Sequence, residues 1–194
     1  MLFENYHFIT PLAANLKREG FRRPTDIQFR AIRPTLMGSD LLAIAQTGTG
    51  KTMAFAIPII ERLGRSKRRP EERAPRALVL VPTHELARQI AEVFRKLAEG
   101  TGVTIFCVTG GGAIDDLVKS IPRRPDIVVA TPGRVLDLVR NRNLLLSSLQ
   151  VLVLDEADRM LSLGFRPDID SLLGNMPRRR QTLFYSATIS PEIK

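Results

Sequence analysis

The chain has 194 residues, 44% hydrophobic and 25% charged, a profile that suits one folded domain with a sizeable core and excludes disordered or fibrous classes. Twenty-nine Lys and Arg against 20 Asp and Glu give a net charge of +9, so an anionic partner fits, either nucleic acid or an acidic membrane surface. No apolar run approaches the ~20 residues that cross a bilayer, Met1–Asn5 lacks the features of a signal peptide, and a lone cysteine cannot staple the domain, which leads to the expectation of a reducing, cytoplasmic setting.

In chain order, residues 11–19 read as a helix, Gly20 as a turn, and residues 26–37 as a second helix ending near Gly38. These form an N-terminal helical addition (1–38) to a core (39–194) within a single domain. Short apolar runs then recur at 41–45, 77–81, 103–108, 126–130, 151–154 and 182–185, separated by amphipathic stretches. The clearest stretch is 83–98, where Leu86, Ile90, Val93, Phe94 and Leu97 recur at helical spacing. Cys107 lies in the 103–108 run and reads as a buried core residue. Arg65–Pro70 and Arg178–Arg180 concentrate positive charge, the first in a surface loop marked by Pro70 and Pro75. Strands alternating with helices predict an α/β domain whose mostly parallel sheet is covered on both faces. In such sheets ligands gather at the carboxyl ends of the strands, and every chemically suggestive segment here follows an apolar run.

The first such segment is Ala45-Gln46-Thr47-Gly48-Thr49-Gly50-Lys51-Thr52. Glycines let backbone N–H groups turn inward around phosphates, and the helix that follows adds its positive end. Lys51 would reach the β and γ phosphates and the Thr52 hydroxyl would ligate Mg2+. The general consensus opens on glycine, where this chain has Ala45. The second segment is Val151–Leu154 running into Asp155-Glu156-Ala157-Asp158. Carboxylates crowded at the tip of a buried strand are costly unless a cation or reacting group meets them. Asp155 is placed to hold the metal, Glu156 to orient or deprotonate the attacking water, and Asp158 to pair with a neighbouring loop. The paired segments point to an ATPase.

Asp155–Asp158 spells the signature of the DEAD-box RNA helicases, and the chain resembles that family from Phe3 to Thr188. Gly20–Gln28 resembles its adenine-reading Q motif. Ala45–Thr52 is similar to the family's own phosphate loop, which also opens on alanine. Pro82–Ala87 resembles motif Ia, Gly110-Gly111 the glycine doublet, Thr131–Arg134 motif Ib and Ser186–Thr188 motif III. The resemblance implies a RecA-like P-loop domain using ATP and Mg2+. Gln28 would read the adenine, Phe21 stack on it, Arg23 add a polar contact and Phe3 support the motif from upstream. Pro82, Thr83, His84, Gly110, Gly111, Thr131, Gly133 and Arg134 would grip an RNA backbone without reading bases. Ser186 and Thr188 would transmit domain closure. His84 stands where motif Ia normally carries arginine, which predicts a weaker and pH-dependent contact. No segment resembles the family's second RecA-like domain, the expected partner that completes the ATP site, so the chain alone is expected to hold nucleotide, hydrolyse it slowly and unwind nothing. An ATP-driven DNA translocase of the same superfamily, or a non-catalytic RNA-binding module, are the alternative readings.

Overall fold

The computed structural model describes residues 1–67, 69–108 and 114–188. A short 3-10 helix (Phe3–Tyr6), α1 (Thr10–Arg18) and α2 (Asp26–Leu36) precede the core. The core then alternates β1 (Leu41–Ile44), α3 (Lys51–Arg65), β2 (Ala77–Leu80), α4 (His84–Ala98), β3 (Ile105–Cys107), α5 (Ile114–Ser120), β4 (Ile127–Ala130), α6 (Pro132–Arg140), β5 (Val151–Leu154), α7 (Ala157–Ser162), α8 (Arg166–Gly174) and β6 (Gln181–Ser186). Among the described residues six strands make one sheet in the order β1-β6-β5-β2-β4-β3. Every neighbouring pair is parallel, including the central Leu78↔Leu152 and Leu78↔Val128. The doubly covered sheet predicted from the apolar runs is present, and all-parallel rather than mostly so.

Successive residues of a strand face opposite sides, and in β2, β4 and β5 both sides are buried. Val79, Val129 and Val153 join α1–α4 in one apolar cluster, whereas Leu78, Leu80, Val128 and Leu152 join α6–α8 in the other. This explains the continuous apolar runs in place of alternation. At the edge, β1 buries Ala43 but leaves Leu42 and Ile44 exposed. Cys107 is buried and free, as its setting predicted. No helix among the described residues is long and apolar enough to cross a membrane.

Helix α1 is fastened to the core by Asn15, whose Nδ2 donates to the carbonyls of Leu97 and Glu99, each at 2.8 Å. These carbonyls close α4, where no intrahelical partner remains for them. On the sheet edge opposite the strand tips lies an ion pair of Arg76 with Asp126 at 2.6 Å, each side chain only 5% exposed. The second oxygen of Asp126 accepts the Thr104 N–H at 2.9 Å and its hydroxyl at 3.1 Å. The pair therefore latches the starts of β2, β3 and β4. Removing one partner of a buried pair strands the other charge. Asp126→Ala is accordingly expected to lower unfolding free energy by about 3–5 kcal/mol in urea titrations, whereas Asp26→Ala, at the exposed Arg30 pair, costs no more than about 1 kcal/mol.

Candidate nucleotide site and nucleic-acid face

The loop leaving β1 turns at Gly48 (φ +81°) and Gly50 (φ +90°) before α3 begins at Lys51. A side chain at Gly50 would be strained by that φ and would place its Cβ 2.5 Å from Gln28 Nε2. Within the loop the Thr49 hydroxyl donates to the Gln46 carbonyl at 2.8 Å. The exposed Gln46, Thr47 and Gly48 form its outer lip, with Ala45 and Thr52 half-buried at its ends.

Two hydrogen bonds fasten α2 to this loop: the Thr25 hydroxyl to the Thr49 carbonyl at 2.9 Å, and Gln28 Nε2 to the Gly50 carbonyl at 3.1 Å. Gln28 Oε1 meanwhile accepts the Thr25 N–H at 3.0 Å, closing a capping box at the start of α2. Both the nitrogen and the oxygen of this buried side-chain amide are thus engaged within the protein. Phe21 is 40% exposed and Arg23 lies open beside it, while Phe3 is buried and donates its N–H to the Arg22 carbonyl at 3.0 Å. The two aromatics have separate work: Phe3 packs, and Phe21 presents a ring to solvent. Phe21 also borders a largely apolar cleft of about 770 Å³ with Leu2, Phe3, Phe8 and Leu16, which contains no residue of the phosphate loop or of Asp155–Asp158.

The charged groups converge in another cleft, of about 390 Å³, lined by Thr47, Lys51, Glu156, Asp158, Arg159 and Ala187 among others. Lys51 is only 6% exposed and, among the described residues, its ammonium nitrogen has no hydrogen-bond partner. Asp155 is 3% exposed, and burial pushes its carboxyl up to about 6 against the opposing pull of Lys51 and of the Glu156 N–H, which donates to it at 2.9 Å. Glu156 adopts φ +53°, the left-handed region that non-glycine residues avoid. Its carboxylate is met by Arg159 at 3.4 Å.

Asp158 pairs with a neighbouring loop, as expected from sequence. Its Oδ2 accepts the Thr188 N–H at 3.1 Å and the Thr188 hydroxyl at 2.9 Å. Burial pushes this carboxyl up, but hydrogen bonds from Thr188 and the Arg159 N–H outweigh it and hold it below the ordinary value. The acidic strand end and the segment after β6 are therefore one unit.

A second group of predicted residues sits on adjoining strand tips, since β2 and β4 pair from Ala77↔Ile127 to Leu80↔Ala130. Pro82 leads into Thr83, which caps α4 by accepting the Leu86 N–H at 3.2 Å; the buried Thr131 occupies the position just before α6, without a side-chain cap bond. Gly133 lies in the first turn of α6, its α-carbon facing Asp168 and Phe165. Burial lowers the His84 pKa, and the positive charges of Arg134 and Arg88 lower it further. His84 and Arg134 thus share one basic neighbourhood. Gly110 and Gly111 lie outside the described residues.

A buried cation without a partner is costly, and a helix N-terminus adds positive potential beside it. A nucleotide triphosphate fits that vacancy of charge. Mg2+ takes one or two protein oxygens and completes its shell with water and phosphate, so Thr52 and Asp155 fit its needs.

A sequence profile described as DEAD/DEAH box helicase matches residues 25–194. The chain belongs to this helicase family. It is 42% identical over 193 residues to a probable ATP-dependent RNA helicase, ddx27, of Dictyostelium discoideum, covering 99% of this chain and 24% of that protein. The RNA helicase CrhR of Synechocystis is 46% identical over 175 residues, covering 90% of this chain and 34% of that one. The crystal structure of a DEAD box protein from the hyperthermophile Methanococcus jannaschii superposes with TM-score 0.90 and 36% identity, over all of this chain and 52% of that chain. The chain thus spans roughly a quarter to a half of the length of these relatives.

Beyond the residues that the DEAD-box resemblance marks, the structure brings in Arg159 and Tyr185. Arg159 follows the signature directly, and its i,i+3 spacing from Glu156 was the available signal. Tyr185 carried no such signal. Its fully buried ring meets Phe55 edge-on at 5.3 Å, and burial together with the Asp155 charge raises its phenol pKa.

Asp155 makes the site costly to the fold. The native carboxyl near 6 lies above the unfolded value, so the native state holds an extra proton between about pH 4 and 6. Stability from this group falls as pH rises through that window and stays lower above it. Asp155→Asn is expected to match wild type in urea at pH 4 and to exceed it by on the order of 1–3 kcal/mol at pH 8.

Proposed function

We propose that the chain is the ATP-binding half of an ATP-dependent RNA helicase, in which hydrolysis is coupled to local opening of RNA duplexes. The observation that carries this reading is the buried, unpartnered Lys51 ammonium facing the cleft that Glu156, Asp158 and Ala187 also line. Triphosphate charge would satisfy Lys51, and the loop N–H groups would surround it. Phe21 would stack on the adenine, with Arg23 beside it. Gln28 would read the base edge by exchanging its present hydrogen bonds, which couples base recognition to the phosphate loop through Gly50. Thr52 and Asp155 would hold Mg2+, which when bound offsets phosphate charge. Glu156, oriented by Arg159, would accept the proton of the attacking water.

The fold supports a second part of the proposal. Pro82, Thr83, His84, Thr131, Gly133 and Arg134 share the strand-tip edge with the cleft, and with Gly110 and Gly111 they are the proposed grip on the RNA backbone. Hydroxyls, helix N-termini and an arginine suit phosphates without base readout, so binding should weaken steeply with salt. Asp158, bonded to Thr188, gives the ATP side a direct link to the Ser186–Thr188 segment. A second RecA-like lobe of the same protein is the proposed partner that closes over both ligands. An arginine supplied in trans contributes on the order of 10³–10⁵ in rate in related phosphoryl-transfer sites, so slow turnover is expected of this chain alone.

ATP binding by the 194-residue chain, measured by calorimetry with Mg2+ present, is expected to weaken by about 10–100-fold in Lys51→Ala. Glu156→Gln is expected to keep ATP affinity within about threefold while hydrolysis falls by on the order of 10²-fold or more. Unchanged affinity in the lysine variant sinks the reading.

His84→Arg is expected to tighten binding of single-stranded RNA at pH 7 and pH 8 alike, because a histidine pressed below its ordinary value is neutral at both. The gap should narrow only in acid below the ordinary histidine range. Equal affinities of the two proteins at pH 8 would remove His84 from the RNA contact.

A further inference from the structure

Glu61 is a buried carboxylate far along α3 that the proposed nucleotide chemistry leaves unused. Its Oε2 accepts the Ile9 N–H at 2.8 Å. Its other oxygen pairs with Arg65, one turn further along the same helix. Arg65 Nη2 in turn donates to the His7 carbonyl at 2.8 Å. One ion pair therefore grips the main chain on both sides of Phe8. Gly64 makes the close approach possible, since a Cβ there would lie 2.5 Å from Ile9 Cδ1. His7 holds φ +54°, a conformation that a non-glycine residue keeps only when its surroundings impose it.

The other end of this segment meets the turn that carries Phe21. Phe3 is buried, and its N–H donates to the carbonyl of Arg22, the residue between Phe21 and Arg23. Between the two ends the Tyr6 and Phe8 rings stack at 5.2 Å and 4°, and the Arg33 guanidinium of α2 lies 5.9 Å from the Tyr6 ring centre. Residues 3–9 are thus a strut, held at the buried Phe3 and Phe8 and the half-buried Tyr6 and Ile9, that runs from α3 to the 20–23 turn. Helix α3 also begins with Lys51. One rigid helix consequently carries the phosphate-facing cation at its start and, through the strut, sets where the exposed Phe21 ring stands.

We propose that Glu61 and Arg65 are positioning residues for base stacking: they fix the distance between the phosphate-binding loop and the aromatic that stacks on the base, and so favour a nucleotide over a bare polyphosphate. The inference rests on the ATP reading of the cleft. Neither residue lines the cleft, so their loss should act on the base and spare the triphosphate. A general weakening of the fold would affect both.

The test compares ATP, GTP and inorganic tripolyphosphate binding to the chain and its variants by calorimetry. Glu61→Ala is expected to weaken ATP and GTP alike about tenfold and to leave tripolyphosphate within about twofold, so that the ATP-over-tripolyphosphate ratio collapses. Arg65→Ala should do the same about threefold, and Glu61→Gln, which still accepts the Ile9 N–H, should retain most of the ratio. Arg65 is 58% exposed, so its variant gives the reading even where Glu61→Ala fails to fold. A ratio that survives both Glu61→Ala and Arg65→Ala overturns the inference, as does a parallel loss of ATP and tripolyphosphate. A wild-type chain without preference for ATP over tripolyphosphate overturns the base stacking of the ATP reading itself, and this inference with it.

Discussion

Parallel pairing is the constraint from which the rest of this structure follows. Parallel neighbours cannot be joined by a tight hairpin, so each strand is followed by a crossover that returns the chain to the same starting edge. Helices then cover both faces, and all strand exits and most helix starts fall on the opposite edge. In this chain that edge receives the phosphate loop after β1, Thr83 after β2, Thr131 after β4, Asp155 after β5 and Ser186 at the end of β6. Segments separated by more than a hundred residues become neighbours because the sheet order places β5 beside β6 and β6 beside β1. The opposite edge carries the Arg76–Asp126 latch, and its charges are satisfied.

The two edges treat charge in opposite ways. At the latch the carboxylate has a guanidinium, an amide and a hydroxyl around it. At the strand tips Lys51 is buried without a hydrogen-bond partner among the described residues, and Asp155 is held near 6 by burial against the pull of Lys51. Folding leaves those charges in place, and a polyanion with a divalent cation is the complement proposed for them. Glu156 adds backbone strain at the same point. Unfavourable charge and geometry collect where binding energy can relieve them, a pattern common at functional sites.

The N-terminal addition is bound to the core in a way that reaches the site. Asn15 ties α1 to the end of α4, Gln28 and Thr25 tie α2 to the phosphate loop, and Glu61 with Arg65 ties residues 7–9 to α3. Helix α3 is common to the last two. A shift of the phosphate loop is therefore felt by Gln28 through Gly50, and the placement of Phe21 is referred back to the helix that carries Lys51.

The sequence by itself determined the strands, the phosphate loop and the acidic strand end, because each depends on local patterns: buried runs, glycines at left-handed turns, and carboxylates following an apolar strand. It also anticipated the pairing of Asp158 with a loop, since a third carboxylate in that cluster needed its own donors. What only the tertiary structure decided are contacts between residues far apart in the chain. That Gln28 spends its amide on Gly50, that Lys51 is left without a partner, and that Thr188 is the donor to Asp158 depend on how the crossovers pack. Tyr185 and Glu61 were invisible for the same reason, as a tyrosine in an apolar strand and a glutamate in a helix look ordinary until the partners arrive. Local order is written in neighbouring residues; the meeting of distant polar groups is set by strand order and helix packing.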